Sequence, residues 1–269
     1  MCIRDRAYNI LTAQLPNGSY LVPSSQGNAS GAINLPARST YREDQVNANL
    51  DFKLSNANHL SLKAFLANNP TVQGLYNFAG IGNALQAPGA PTGFNMHQRV
   101  YAATDTHLIN TRTINEFRFG YSSIGGRFLP QEPFTGADFG ISGPLQGLFP
   151  GAPTISIINK VDLGPSPLAD NFSQVETYTF GDMLTLTRGK HTLKMGADYK
   201  RQVINLFFNA YTRGQLYFSS TAAFLEGIPL ITLQGSGVNN RNIRANDFSG
   251  FLQDDWKVNN RLTLNLRCV

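Results

Sequence analysis

The sequence predicts an all-β protein: an antiparallel up-and-down meander of about eight strands in four hairpins. Three observations carry this reading. Apolar and polar residues alternate along several stretches of about nine positions, short and long connections alternate between those stretches, and 26 Asn, 25 Gly and 14 Pro in 269 residues favour turns over helices.

The clearest stretch is Val46, Ala48, Leu50, Phe52 and Leu54, with Asn47, Asn49, Asp51 and Lys53 between them. This period of two is that of a strand with one apolar and one polar face. The turn formers Ser55-Asn56-Ala57-Asn58 follow, and the pattern resumes with Leu60, Leu62, Ala64 and Leu66, interrupted only by Phe65. A second hairpin joins residues 98–106 (Val100, Ala102, Thr104, Thr106) to 113–122, where Phe117, Phe119 and Tyr121 oppose Glu116 and Arg118. In the third, Tyr178, Phe180, Leu184 and Leu186 lead through Arg188-Gly189-Lys190 into Leu193, Met195, Ala197 and Tyr199, backed by Lys194, Asp198 and Lys200. The fourth links Phe248, Leu252, Trp256 and Val258 through Asn259-Asn260-Arg261 to Leu262, Leu264 and Leu266.

The connections between hairpins, about 68–96, 123–173 and 210–241, are far longer than those within them. Alternate links of a meander lie at opposite ends of the strands, so one end carries tight turns and the other all the large loops. Soluble domains seldom hold structureless loops beyond ~15 residues. Outer-membrane barrels combine short periplasmic turns with long extracellular loops, and a tilted membrane strand needs ~9 to 11 residues. The expected fold is therefore part of a transmembrane β-barrel, with Leu50, Leu62 and Leu264 facing lipid and Asn47, Asp51, Lys53 and Lys194 facing water. Trp256, the only tryptophan, stands just before a tight turn, where an amphipathic ring sits at the lipid headgroups.

Composition narrows the function. The formal charge is +5, but Lys and Arg are scattered singly, without the basic stripe of a nucleic-acid binder. No apolar run reaches the ~20 residues of a membrane-spanning helix. Cys2 and Cys268 make neither a disulfide framework nor a zinc site, and His59, His97, His107 and His191 form no metal-ligand spacing. Asp254 and Asp255 are adjacent on a strand and point to opposite faces, so they make no acid/base dyad. The expectation is no enzyme, no metal and no cofactor. The stretches Ala64–Gln98 and Phe139–Asn159 hold no charged residue yet contain Tyr76, Phe78, Phe94, Phe139 and Phe149. These rings are the candidate contacts for an extracellular ligand; their packing on one another to order the loops is the alternative.

Phe251-Leu252-Gln253-Asp254-Asp255-Trp256-Lys257-Val258, continuing into Arg261-Leu262-Thr263-Leu264-Asn265-Leu266, resembles a strand-turn-strand signature of TonB-dependent outer-membrane receptors. Arg42 to Asp51 and Thr187 to Gly196 resemble two more, in the same order, and the pattern is most similar to the Oar-like branch, whose members carry a carboxypeptidase-regulatory-like domain before plug and barrel. The resemblance implies a middle piece of a barrel of about 22 strands. It also implies a cell outer membrane location, lipid contact, a TonB complex acting on the full-length protein only, and import of large nutrients such as siderophores or glycans. Residues 42–269 are assigned to the partial barrel and 1–41 to an N-terminal irregular segment, of which 1–6 reads as an assembly artefact. The competing expectation is a secreted or surface β-sandwich that binds carbohydrate.

Overall fold

The computed structural model describes residues 3–22, 37–75, 85–87, 89–131, 133–141, 151–168, 170–208, 210–237 and 239–268. Nine strands form one antiparallel sheet, the two-residue Thr40–Tyr41, which pairs with Thr71 and Val72, and eight longer ones: β1 (Asp44–Lys53), β2 (Asn58–Gln73), β3 (Thr92–Asn110), β4 (Thr113–Pro130), β5 (Asn171–Arg188), β6 (His191–Phe207), β7 (Asn240–Asn259) and β8 (Leu262–Cys268). Each of the eight pairs with the next in sequence. All four predicted hairpins are present in the predicted order. Their links are tight, and Gly189 sits in one of them with φ of 61°, a left-handed conformation that glycine adopts without a Cβ penalty.

Cross-strand partners share a face, so the register sorts the side chains. One row runs Leu50, Leu62, Ala103, Phe119, Phe180, Tyr199, Phe248 across seven strands. The row beside it, on the opposite face, runs Asn49, Lys63, Ala102, Gly120, Thr179, Lys200, Asp247. The sheet therefore has an apolar face and a polar one. The second hairpin corrects the sequence on one point: Val100, Ala102, Thr104 and Thr106 lie on the polar face, and Tyr101 and Ala103 on the apolar one.

The hairpin ends are staggered. Carried through the register onto β5, they fall level with Met183, Leu186, Arg188 and a point two residues beyond Arg188. That is about seven residues over six strand-to-strand steps, or ~4 Å along the strand for each ~4.8 Å across it, a tilt of about 40°. Closed barrels tilt their strands by ~35 to 45°.

Most strands are longer than expected, up to 20 residues in β7. The long connections accordingly run 74–91, 131–170 and 208–239 instead of 68–96, 123–173 and 210–241. They also fold. A second, five-stranded sheet forms from Leu85–Gln86, Thr154–Ile157, Val161–Leu163, Gln215–Phe218 and Ile231–Leu233. Its pairings cross between connections: Gln215–Phe218 lies parallel to Thr154–Ile157, and Leu85–Gln86 parallel to Val161–Leu163. The chain before β1 joins in. Where the sequence suggested an irregular segment over 1–41, Ile3–Thr12 is a helix, α1, whose Ala7 and Ile10 are buried in one cluster with this sheet's apolar residues, with α2 (Thr221–Glu226) supplying Phe224. Ala7 and Ile10 sit three residues apart and so share one face of the helix. Ile155, Ile157, Leu163, Phe139 and Phe218 complete the core. Four segments that are distant in sequence thus share one hydrophobic cluster at one end of the wall, here called the cap.

The other face of the cap sheet is polar and equally buried. Ser156 and Gln215 are 0% and 1% exposed, with Gln215 Nε2 donating to Ser156 Oγ at 3.0 Å. Asp162, cross-strand from Ser156, is 8% exposed and its Oδ1 has no partner among the described residues. Burial pushes its carboxyl group above the ordinary value, against a smaller lowering by the Ser156 hydrogen bond. An acid whose pKa is raised on folding contributes stability that is complete below its unfolded pKa and is lost as pH rises through the folded value. The cap is therefore expected to loosen as pH rises from the ordinary carboxylate range through that raised value, and Asp162→Asn to abolish that dependence. Hydrogen-exchange protection over 154–163, corrected for intrinsic rates, measures both; equal pH dependence in the two proteins would refute the assignment to Asp162.

Candidate functional site

The wall's apolar face is uncovered. Leu50 is 56% exposed and Leu264 38%, Leu62 is half-buried, and no second layer packs on them among the described residues. In water such a face would be an aggregation surface; here its chemistry is ordered by height. Nearest the tight turns stands Trp256, whose ring stacks on His191 at 5.5 Å, while His191 Nδ1 and Asp254 Oδ2 lie 2.7 Å apart. Leucines, Met195 and Phe117 follow on the same face, interrupted by Asp105 and by Asn115 and Asp182, whose side chains hydrogen-bond each other at 2.7 Å. Then comes a ladder of rings from β3 to β7. Tyr101 stacks on Tyr121 at 6.1 Å and Tyr121 meets Tyr178 at 4.9 Å; one step along, Phe119, Phe180, Tyr199 and Phe248 touch in succession at 5.2, 6.2 and 4.7 Å.

Beyond this belt the same face turns mostly polar, with Arg99, His97, Ser123, Glu176, Gln174, Arg201 and Asn246 at successive positions. From hairpin end to belt ring the count is eight residues on β4 (Thr113 to Tyr121) and β6 (His191 to Tyr199), ten on β5 (Tyr178 to Arg188) and eleven on β7 (Phe248 to Asn259). At a rise of ~3.3 Å and a tilt of about 40°, that spans roughly 20 to 28 Å. The apolar band of a membrane barrel is ~25 Å tall and edged by aromatic girdles. Geometry and chemistry thus agree on a lipid-facing band with Trp256 at one margin and the tyrosines at the other.

The opposite face suits water along the same band. Lys194 approaches Asp255 at 3.8 Å, Lys200 approaches Asp247 at 3.7 Å, and Arg118 lies 3.6 Å from Glu116. Such pairs are at home in a solvated lumen and contribute little to stability there. Above the level of the belt this inner face becomes apolar, with Ile124, Val175, Ile204 and Ile243 in one row. The wall's polarity therefore inverts above the belt, and the turn of its outer face from apolar to polar is what a change from oil to water outside demands.

The family model of the outer membrane beta barrel domain matches residues 4–266. The chain belongs to this family. Among solved structures, this barrel chain is similar to the outer membrane transporter YddB from Escherichia coli, with 8% identity and a TM-score of 0.53. The likeness covers 89% of this chain and 28% of the transporter, so the chain spans about a quarter of that protein's length. No curated protein sequence matches it. The barrel family and the fold place the chain in the outer membrane, with the tight turns at one surface and the cap beyond the other.

Two of the five candidate ligand rings, Phe94 and Phe139, are among the described residues. Tyr76, Phe78 and Phe149 lie outside the described residues. Phe94 is on β3 rather than in a loop, packed edge-on against Phe128 at 4.5 Å. Phe139 is 2% exposed and tilts against Phe134 at 5.3 Å, so it orders the cap instead of meeting solvent. What sequence reasoning missed is the cap as a unit. Its clearest signals are the alternation Thr154-Ile155-Ser156-Ile157 and the apolar stripe of α1.

Proposed function

We propose that this chain is a wall segment of a TonB-dependent outer-membrane receptor of the Oar-like kind, importing a large nutrient such as a siderophore or glycan in its full-length form. One observation carries the reading beyond a generic barrel. All the described long connections meet in a single folded cap at one end of the wall, while the other end carries only tight turns. A pore that merely admits small solutes has no use for a cap with its own core, whereas a receptor needs an ordered surface to select a large ligand. The three receptor-like motifs and the likeness to an outer membrane transporter support the same reading. Lipid, a TonB complex engaging the complete protein and an extracellular ligand are the partners it implies. It assigns no enzymatic step, cofactor, metal or nucleic acid. The alternative β-sandwich would need a second sheet packed on the apolar face, and the eight strands form one sheet whose apolar face stays open.

Protease treatment of intact cells expressing the complete gene tests the orientation. Cleavage is expected within 74–91, 131–170 or 208–239 and nowhere in the turns. A cut between Arg188 and His191 in intact cells would reverse the orientation and remove the receptor reading.

A further inference from the structure

We propose that the outer face of the wall, just beyond the aromatic belt, binds the phosphorylated headgroups of outer-leaflet lipid through Arg201 and Arg244, with Arg99 as a second station. The proposal rests on the outer-membrane location and goes beyond the transport reading, which could fail without affecting it.

Lysine and arginine are distributed differently over the wall: arginine occurs on both faces, with Arg118, Arg241 and Arg267 on the inner one, while strand lysines occur on one face only. The five lysines within the eight strands, Lys53, Lys63, Lys194, Lys200 and Lys257, all lie on the inner face. On the outer face beyond the belt the strands carry only arginine: Arg99, Arg127, Arg201 and Arg244, all exposed. Arginine presents a planar fork that matches a phosphate with two parallel hydrogen bonds, which lysine cannot do.

Height adds a second argument. Arg99 is two residues beyond Tyr101 on β3, and Arg201 two beyond Tyr199 on β6, which puts both guanidinium groups at the headgroup layer above the apolar band. Arg201 pairs with Asn246 and Arg244 with Val203, so the two arginines are diagonal neighbours on adjacent strands, roughly 7 to 8 Å apart at the backbone. No carboxylate lies within ion-pair distance of either among the described residues. Glu176, the acidic group on the neighbouring strand, accepts instead from Tyr121 Oη at 3.4 Å. Glu176 is itself a diagonal neighbour of Arg201 on the side away from Arg244, so it is the Arg201–Arg244 side where two like charges stand together, a repulsion that a bridging anion relieves.

The surroundings hold the site open for one. Arg244 Nη2 donates to Asn205 Oδ1 at 3.1 Å and its Nη1 to the Ile204 carbonyl at 3.3 Å, which anchors the guanidinium near the strand. Tyr199 Oη donates to Asn246 Oδ1 at 2.9 Å, which leaves the Asn246 amide N–H2 to donate between the two arginines. A belt tyrosine is thereby tied to the polar group above it, with acyl chain below and phosphate above.

The test uses the full-length protein in detergent and native mass spectrometry, with three probes: an acylated glucosamine disaccharide carrying two phosphates, the same lipid dephosphorylated, and inorganic phosphate. The wild type is expected to retain the phosphorylated lipid at least tenfold more tightly than either other probe. The double variant Arg201→Ala/Arg244→Ala should lose at least tenfold in affinity, Arg99→Ala less, Arg201→Lys/Arg244→Lys should recover only part, and the inner-face variant Lys53→Ala should change nothing. Unchanged binding by a folded Arg201→Ala/Arg244→Ala protein would overturn the site. So would equal binding of the dephosphorylated lipid, which would assign the contact to the apolar belt alone, and so would inorganic phosphate binding as tightly as the lipid.

Discussion

Met195→Arg is expected to destabilise the membrane-folded protein by about 2 to 4 kcal/mol, whereas Met183→Arg changes it by less than about 1 kcal/mol. The two methionines make a matched pair. Met195 pairs with Leu184 and Leu252 on the lipid-facing side; Met183 pairs with Glu116 and Gly196 on the lumen side, one residue away along the sheet. Residue type, substitution and depth are the same, and each position has acidic neighbours on its own face, Asp182 and Asp254 diagonal to 195 and Glu116 beside 183, so the difference reports chiefly the solvent each side chain meets. An arginine at 195 must enter hydrocarbon near the middle of the band, while one at 183 stands in water beside a carboxylate. Denaturant titration in phospholipid vesicles reads both values. Equal costs, or a larger one at 183, would mean that the faces are assigned the wrong way round.

The second large effect is in the cap. Arg213 and Asp170 form a two-point pair, Nε to Oδ2 at 2.5 Å and Nη2 to Oδ1 at 2.8 Å, with side chains only 13% and 12% exposed. Asp170 is where the second long connection returns to β5, and Arg213 stands where the third leaves β6. Removing one partner of a buried pair leaves an uncompensated charge and costs about 3 to 5 kcal/mol. Arg213→Met should therefore raise hydrogen exchange in Thr154–Ile157 and Gln215–Phe218 together, because those strands pair across the two connections. The wall from β4 to β6, held by its own ladders, should keep its protection. Adding Asp170→Asn should restore part of the loss: the charge is gone, and asparagine tolerates the positive φ of 67° at this position. Loss confined to one of the two cap strands would show that the pair does not join the loops.

How much of this the sequence discloses depends on which physics each part uses. The hairpins of β1, β5, β6, β7 and β8 are legible because lipid on one side and water on the other enforce a strict period of two. Val46 to Leu54 and Leu193 to Tyr199 show it without interruption. The pattern fades at the belt, which is why the strands read as too short. Beyond Tyr199 the apolar positions switch sides, from Met195 and Ala197 outside to Ile204 and Leu206 inside, and an alternation that changes phase looks like its end. β3 was ambiguous for a different reason: Val100 and Ala102 are as apolar as Tyr101 and Ala103, so only the register against Phe119 and Tyr121 assigns the faces.

The cap is the opposite case. Its strands are two to four residues long and gain partners only from other connections, so no local window holds the information. Phe139 illustrates the consequence. An aromatic in an uncharged loop suggests a ligand contact until the folded loop shows what covers it, and here the cover is the cap's own core. The N-terminal helix had a readable stripe in Ala7 and Ile10, but a helix of ten residues is marginal in isolation and is held by the cap elements it meets, α2 and the turn at Ala137–Phe139.

A membrane wall requires the environment to alternate along each strand, and β6 shows it most plainly. Nitroxide labels placed singly at positions 193 to 200 of β6, in the full-length protein in lipid vesicles, report accessibility to oxygen, which partitions into lipid, and to a water-soluble nickel chelate. The labels at Leu193, Met195, Ala197 and Tyr199 should be relaxed by oxygen, and those at Lys194, Gly196, Asp198 and Lys200 by nickel, with the oxygen signal falling away at Arg201. Odd positions shielded from both reagents would mean that protein, and not lipid, covers the apolar face, and the membrane wall described here would be wrong.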